Sequence, residues 1–163
     1  ARQVPPDVSP VLVHGDYRLG NALFVGAQLQ AIIDWEIWSV GDPRTDLAWV
    51  LMHTRPAHVF YEHRSPRDVA AGSLMPTPDE LLATYVSARR DAGSTEDEIA
   101  QATVNLDWFL ALAYYKTAST IAAIAKRERR RPRPTPEAKV LVAAARLGDI
   151  LAAGHQVLDR AQR

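Results

Sequence analysis

At 163 residues and 18.0 kDa the chain has the length of one ordinary domain. Its 47% apolar and 23% charged residues exclude a disordered or collagen-like chain, and nineteen basic residues balance nineteen acidic ones, so no net field favours nucleic acid or an anionic membrane as partner. The lack of cysteine excludes disulfides, iron–sulfur clusters and thiolate zinc sites; with no apolar run near the ~18 residues of a bilayer span and no signal peptide at Ala1, a cytoplasmic protein is expected.

The first ten residues, ARQVPPDVSP, carry three prolines and no apolar periodicity, and predict an extended lead-in. Val11-Leu12-Val13 predicts a short buried strand, HGDYRLGN a loop, and the β-prone runs Ala22–Val25 and Leu29–Ile33 a hairpin around Gly26-Ala27-Gln28. Asp42-Pro43 predicts a helix start, with an N-cap carboxylate ahead of proline, and Leu47, Val50 and Leu51 give that helix a core stripe reaching Thr54. Residues 55–76, with Pro56, Pro66, Gly72 and Pro76, are expected to be irregular or only briefly helical. Thr77-Pro78-Asp79-Glu80 is a capping-box pattern for a helix ending near Gly93. Ser94-Thr95-Glu96-Asp97 opens the next. The stripe Ile99, Ala102, Leu106, Phe109, Leu110, Ala113, Thr117, Ile121 and Ile124 predicts that it runs as one long buried helix. Thr135-Pro136-Glu137 begins the last, with Val140, Leu141, Ala144, Leu147, Leu151 and Leu158 on one face. The expected fold class is α+β, mostly α, in a single domain over 1–163: lead-in, loop and hairpin over 1–40, then a helical subdomain over 41–163.

The loop HGDYRLGN places the carboxylate of Asp16 five residues before the carboxamide of Asn21. Phosphoryl transfer to a hydroxyl asks a protein for a carboxylate that positions and deprotonates the acceptor, and for oxygen ligands that hold Mg²⁺ against the phosphates. Asp16 suits the first task and Asn21 the second. A second metal ligand is expected at Asp34. The hairpin returns the chain to the level of Asn21, and neighbouring strands lie roughly 4.8 Å apart, so the two side chains should sit side by side.

Three segments carry a family resemblance. HGDYRLGN resembles the HGD-x4-N catalytic loop of the aminoglycoside phosphotransferase-like kinases, itself related to the HRD-x4-N loop of protein kinases. Ile32-Ile33-Asp34-Trp35-Glu36 is similar to the family's IDWE metal-binding segment, and Gly41–Ala48, GDPRTDLA, resembles the GDPxxDLA segment that follows it, in the same order and spacing. The resemblance implies Asp16 as catalytic base and Asn21 and Asp34 as ligands of the Mg²⁺ that binds the nucleotide. It implies Asp46, with His14, as structural support of the loop. Arg18 is then a fixed cation for charge developing on the transferred phosphoryl group. It also implies the fold, a protein-kinase-like C-terminal lobe in which a small catalytic hairpin packs on a helical body. The activity implied is transfer of the γ-phosphate of ATP or GTP to the hydroxyl of a small molecule. Family members place the acceptor among their C-terminal helices, which makes Asp107, Trp108 and Tyr115 candidate substrate contacts. HGDYRLGN together with GDPRTDLAW looks most like the branch related to kinase-like domains associated with acyl-CoA dehydrogenases.

The nucleotide clamp of such kinases, a glycine-rich turn and a strand lysine paired with a glutamate, has no counterpart here. There is no G-x-G-x-x-G, and Lys116, Lys126 and Lys139 all follow the catalytic loop. Only thirteen residues precede His14, so the resemblance covers a C-terminal lobe with the N-terminal, nucleotide-binding lobe absent, and the isolated chain is expected to be inactive. A lobe-only protein that binds a metabolite or partner without catalysis is the alternative, and a metal-dependent hydrolase reusing Asp16, Asn21 and Asp34 is a third. His53, His58 and His63, five apart, read as surface or core imidazoles rather than a zinc site. Trp35 and Trp38 read as packing between hairpin and helices. The run Lys126–Arg133 reads as a solvated helix end, or else as a contact for a polyanionic substrate.

Overall fold

β-prone residues in the first forty positions build short antiparallel ladders, as a computed structural model describing residues 4–54, 66–130 and 138–160 shows. Strand β1 (Val11–Val13) pairs with β4 (Ser39–Gly41), and β2 (Ala22–Val25) pairs with β3 (Gln28–Ile32) across a turn at Gly26, which takes φ +60°. One turn of 3-10 helix, Leu19–Asn21, leads into β2. The β2–β3 hairpin is expected, but β3 begins at Gln28 and ends at Ile32, one residue earlier at each end than predicted, which leaves a two-residue turn. Strand β4 is not: three residues, Ser-Val-Gly, carry no strand signal of their own and are extended because β1 supplies their hydrogen bonds.

The helices are α1 (Arg44–His53), α2 (Pro66–Ser73), α3 (Pro78–Asp91), α4 (Glu96–Thr103), α5 (Leu106–Glu128), α6 (Ala138–Ala145) and α7 (Leu147–Arg160). The α+β, mostly α class therefore holds. Residues 55–65 lie outside the described ones; α2 is the brief helix expected beyond them. The capping box expected at Thr77 forms, and a second one forms at Thr95. Thr77 and Thr95 each accept from the N–H of the glutamate three residues on, Glu80 and Glu98, whose carboxylates accept back from the threonine N–H. Gly93, at φ +86°, ends α3 by returning Ser94 N–H to the carbonyl of Arg89.

Two helices expected to be continuous are broken. The stripe from Ile99 to Ile124 is interrupted at Val104, which is extended, and Asn105, which is left-handed at φ 59°. Asparagine tolerates that conformation better than most residues, and the Val104 carbonyl freed by the break accepts from Arg44. Both segments face the same core, so the apolar period runs through the break undisturbed. Ile124, the last member of that stripe, is exposed. The final helix divides at Arg146 into α6 and α7, and its expected start at Thr135–Glu137 lies outside the described residues. Its buried face is Ile150, Gly154 and Val157, whereas Leu141 and Leu151 are exposed. Close approach sets that rotation, because a Cβ at Gly154 would stand 3.1 Å from Cβ of Tyr114 on α5.

The core is the junction of α1, α5 and α7, filled by Leu47, Leu51, Met52, Phe109, Leu110, Ile121, Ile150 and Val157. One fully buried cation ties it to the β region. Arg44 pairs with Asp42 at 2.6 Å, donates to the carbonyls of Pro6 (2.8 Å) and Val104 (3.3 Å), and lies 4.4 Å from the Phe109 ring centroid. Asp42 also accepts the N–H of Arg44 at 2.9 Å, but Pro43 is the N-cap and the helix begins at Arg44, one residue later than Asp42-Pro43 predicts.

Arg44→Leu should destabilise the chain by about 3–5 kcal/mol, since Asp42 and two carbonyls lose their donor together, as read by chemical denaturation. Acid should loosen α3 and α4 first. Hydrogen bonds from Thr77 and Thr95 hold the Glu80 and Glu98 carboxyls below the ordinary glutamate value of 4.5. That contribution is present above the unfolded-state value and is lost as pH falls through the lowered folded one. Protection of the Thr77 and Thr95 amides against exchange, relative to their intrinsic rates, should fall over that acid range and remain constant above it.

Candidate active site

The site is built from the loop between β1 and β2, the segment after β3, and the facing sides of α1 and α5. Asp46, in the first turn of α1, accepts two successive backbone donors, His14 N–H at 2.6 Å and Gly15 N–H at 2.9 Å. Gly15 adopts φ +84° here, and a Cβ would stand 2.6 Å from the Ile37 carbonyl oxygen, so no other residue fits without rearrangement. His14, 2% exposed, accepts the Asp16 N–H on Nδ1 at 3.2 Å. Its proton therefore sits on Nε2, which donates to the Ile33 carbonyl at 2.8 Å. The loop is thus pinned to α1 on one side and to the residue before Asp34 on the other.

The Asp16 carboxylate receives Trp49 Nε1–H at 2.7 Å, Asn21 Nδ2 at 2.9 Å and Arg18 Nε at 3.1 Å. Burial opposes its ionisation, but the bonds from Trp49, Arg18 and Asn21 and the Arg18 charge outweigh burial and hold its pKa below the ordinary aspartate value. Asn21, 4% exposed, also gives Nδ2 to the Asp16 carbonyl at 2.9 Å. With its amide hydrogens committed to Asp16, Oδ1 is the atom it can offer a cation.

Asp34 lies one step further along than the strand argument expects. Ala22 pairs with Ile32, and Ile33 N–H donates to the Asn21 carbonyl at 2.9 Å, so Ile33 stands opposite Asn21 and Asp34 follows in a left-handed conformation, φ 68°. Among the described residues no group of three or more His, Cys, Asp or Glu side chains assembles around a metal position. An Asn21–Asp34 pair is an all-oxygen donor set that suits Mg²⁺ shared with phosphates and water, and suits zinc poorly.

Three further residues enclose Asp16, and of these only Trp49 falls within a motif, as the last residue of GDPRTDLAW. Trp49 follows Asp46 by three positions, one helical turn along the same face, and this spacing was a usable signal. His53, one turn further, bonds its Nδ1 to the Trp49 carbonyl at 2.9 Å and packs its ring 4.7 Å from the indole. Burial lowers its pKa, against opposing contributions from the Trp49 carbonyl and Asp16. Lys116 comes from α5; its Nζ donates to the Gly15 carbonyl and lies 4.3 Å from the Trp49 ring centroid. Desolvation of that ammonium lowers its pKa, opposed by Asp16 and Asp46. Nothing in the sequence links Lys116 to a loop 101 residues away.

A cavity of about 520 Å³ opens beside Asp16 and Arg18, walled by Trp49, His53, Lys116, Thr117, Ile121 and Ile124. Its bordering residues explain the exposure of Ile124. Trp108 and Tyr115 line a different groove, about 260 Å³, between α5 and α7, and Asp107 sits in the first turn of α5 and lines neither. The structure therefore gathers Asp16, Arg18 and Asn21 closely, with His14 and Asp46 behind them, and leaves the three helical candidates elsewhere. Trp35 packs 4.5 Å from His14 as a loop support, whereas Trp38 is 58% exposed and does not provide the packing expected of it. His58, His63 and Arg131–Arg133 lie outside the described residues, while Lys126 and Arg127 occupy the last turn of α5.

Residues 1–73 match the model of the phosphotransferase enzyme family, APH. Acyl-CoA dehydrogenase family member 11 of Gallus gallus is 30% identical over 129 residues, 72% of this chain and 15% of that protein. The same-named protein of Homo sapiens is 30% identical over 119 residues, 71% of this chain and 14% of its own length. Acyl-CoA dehydrogenase family member 10 of Mus musculus is 28% identical over 127 residues, 76% of this chain and 11% of its own. The chain thus spans about 15% of the length of the curated relatives it matches. No solved structure matches it. The matched segment contains the whole braced loop, with Asp16, Asn21, Asp34 and Asp46, so the similarity to the phosphotransferase enzyme family falls on the site itself.

Proposed function

We propose that the chain is the catalytic and acceptor-binding lobe of a small-molecule kinase, with a protein-kinase-like C-terminal lobe fold, which transfers the γ-phosphate of ATP or GTP to a substrate hydroxyl. One observation carries the reading: the Asp16 carboxylate is held ionised by three side-chain donors at the edge of a cavity, on a loop pinned at both flanks. A hydroxyl in that cavity would direct its proton at Asp16 and its lone pair at the incoming phosphorus. A carboxylate so stabilised is a weak base. In a loose transition state the hydroxyl proton leaves late, so orientation of the acceptor counts for more than basicity.

Arg18 keeps Asp16 oriented and offers its guanidinium to charge at the reacting phosphoryl group. Asn21 Oδ1 and the Asp34 carboxylate would hold Mg²⁺, which when bound neutralises phosphate charge. His14 links the two ligand segments, because it touches both the Asp16 N–H and the carbonyl preceding Asp34. Nucleotide binding is assigned to a separate clamp lobe, since these 163 residues carry no G-x-G-x-x-G turn. A cytoplasmic location belongs to the same reading; no helix among the described residues is long and apolar enough to cross a membrane.

In the phosphotransferase-active protein that contains this chain, Asp16→Asn should lower kcat by about 10²–10⁴-fold with little change in acceptor KM. Wild-type turnover in that variant would remove the assignment. Asp34→Ala should abolish Mg²⁺-dependent nucleotide turnover, and excess Mg²⁺ should restore little of it. Calorimetry on the 163-residue chain alone should detect weak ATP binding at most, and micromolar affinity would contradict the assignment of nucleotide binding to another lobe.

A further inference from the structure

The mechanism above makes no use of Lys116, yet its ammonium touches both supports of Asp16. It donates to the carbonyl of Gly15, the peptide group directly before Asp16, and it lies 4.3 Å from the ring centroid of Trp49, whose indole N–H donates to Asp16 Oδ1 at 2.7 Å. Each contact has a mechanical consequence. Gly15 has no side chain to restrain its backbone, and a bonded carbonyl stops the Gly15–Asp16 peptide from turning and taking the carboxylate with it. A cation over the indole face is attracted to the ring, holds its plane and draws density from it, which strengthens the Nε1–H as a donor. The His53 ring, 4.7 Å from the same indole, further limits its rotation. Among the described residues Lys116 forms no ion pair with a carboxylate, so these two neutral groups are its direct partners.

We propose that Lys116 is a positioning residue for Asp16, acting from α5 through the Gly15 carbonyl and the Trp49 indole and making no contact with the reacting atoms. The proposal rests on the phosphotransferase reading only for its effect on turnover; the positioning itself is testable on the chain alone.

The test uses the indole N–H resonances of the ¹⁵N-labelled 163-residue chain, which has four tryptophans, Trp49 being assigned by its loss in Trp49→Phe. Lys116→Met should move the Trp49 indole proton upfield and speed its solvent exchange, leaving Trp35, Trp38 and Trp108 in place. Lys116→Arg, which keeps a cation on a flexible side chain of similar reach, should restore most of both. An unmoved Trp49 signal in Lys116→Met overturns the proposal. Lys116 is exposed, so the fold should survive; if the methionine variant does not fold, Lys116→Gln gives the same comparison.

In the phosphotransferase-active protein, Lys116→Met should lower kcat about 10–100-fold with acceptor KM unchanged. Combining it with Trp49→Phe should cost little more than the worse single variant, because both act through one carboxylate. A raised KM with unchanged kcat, or full additivity, overturns the proposal by making Lys116 a direct acceptor contact or an independent group. If the wild-type protein transfers no phosphate, the kinase reading fails, and the Trp49 signal still decides for or against Lys116 as a support of Asp16.

Discussion

The site depends on one carboxylate taking two adjacent backbone donors. Asp46 accepts from both His14 and Gly15, so the loop cannot slide or turn relative to α1 without releasing a pair of charge-assisted hydrogen bonds. Because α1 belongs to the same core as α5, fixing the loop on α1 also fixes it against Trp49, His53 and Lys116. Position is thereby transferred from a packed helical junction to a loop that would otherwise be free to move. His14 extends the constraint to the segment holding Asp34 through its tautomer: the Asp16 N–H occupies Nδ1, which leaves the Nε2 proton for Ile33.

Arg44 does the corresponding work on the opposite side of α1. A fully buried guanidinium is costly to desolvate, and here the cost is offset by Asp42, by two carbonyls and by the face of Phe109. The same group stabilises the break between α4 and α5 by occupying the Val104 carbonyl. The lead-in, the start of α1 and the α4–α5 junction therefore share one donor. This coupling gives the site a stiff support, since α1 carries Asp46, Trp49 and His53 on successive turns.

Around Asp16 the electrostatics favour placement over basicity. Three donors lower the pKa of a partly buried carboxylate, which makes it a poor proton acceptor in the ground state but holds both oxygens in fixed directions. Under the proposed kinase reading that choice is tolerated, because in a loose transition state the hydroxyl proton leaves only after the phosphorus–oxygen bond to the leaving group has largely broken. The neighbouring cations balance the carboxylate without burying it in a closed ion pair, and a cavity opens beside it.

The sequence by itself determined what local chemistry decides. The capping box at Thr77, the start of α1 to within one residue and the β2–β3 turn each depend on a few adjacent residues, and each was readable. The grouping of Asp16 and Asn21 was legible because phosphoryl transfer asks for those residue types, and the support from Asp46 because its segment resembles that of a known family. Tertiary structure decided whatever depends on a distant partner. Strand β4 exists because β1 is beside it, and the Asn105 break is held by Arg44, sixty positions earlier in the ladder of contacts that ends at Val104. The face of α7 is set by contact of Gly154 with Tyr114. Apolar periodicity could show none of these, because a stripe records which residues face a core and not where a helix is interrupted or how closely its neighbour approaches. Lys116 is the clearest case. An exposed lysine on a helix has no distinguishing pattern, and only the packing of α5 on α1 brings its charge to Gly15 and Trp49.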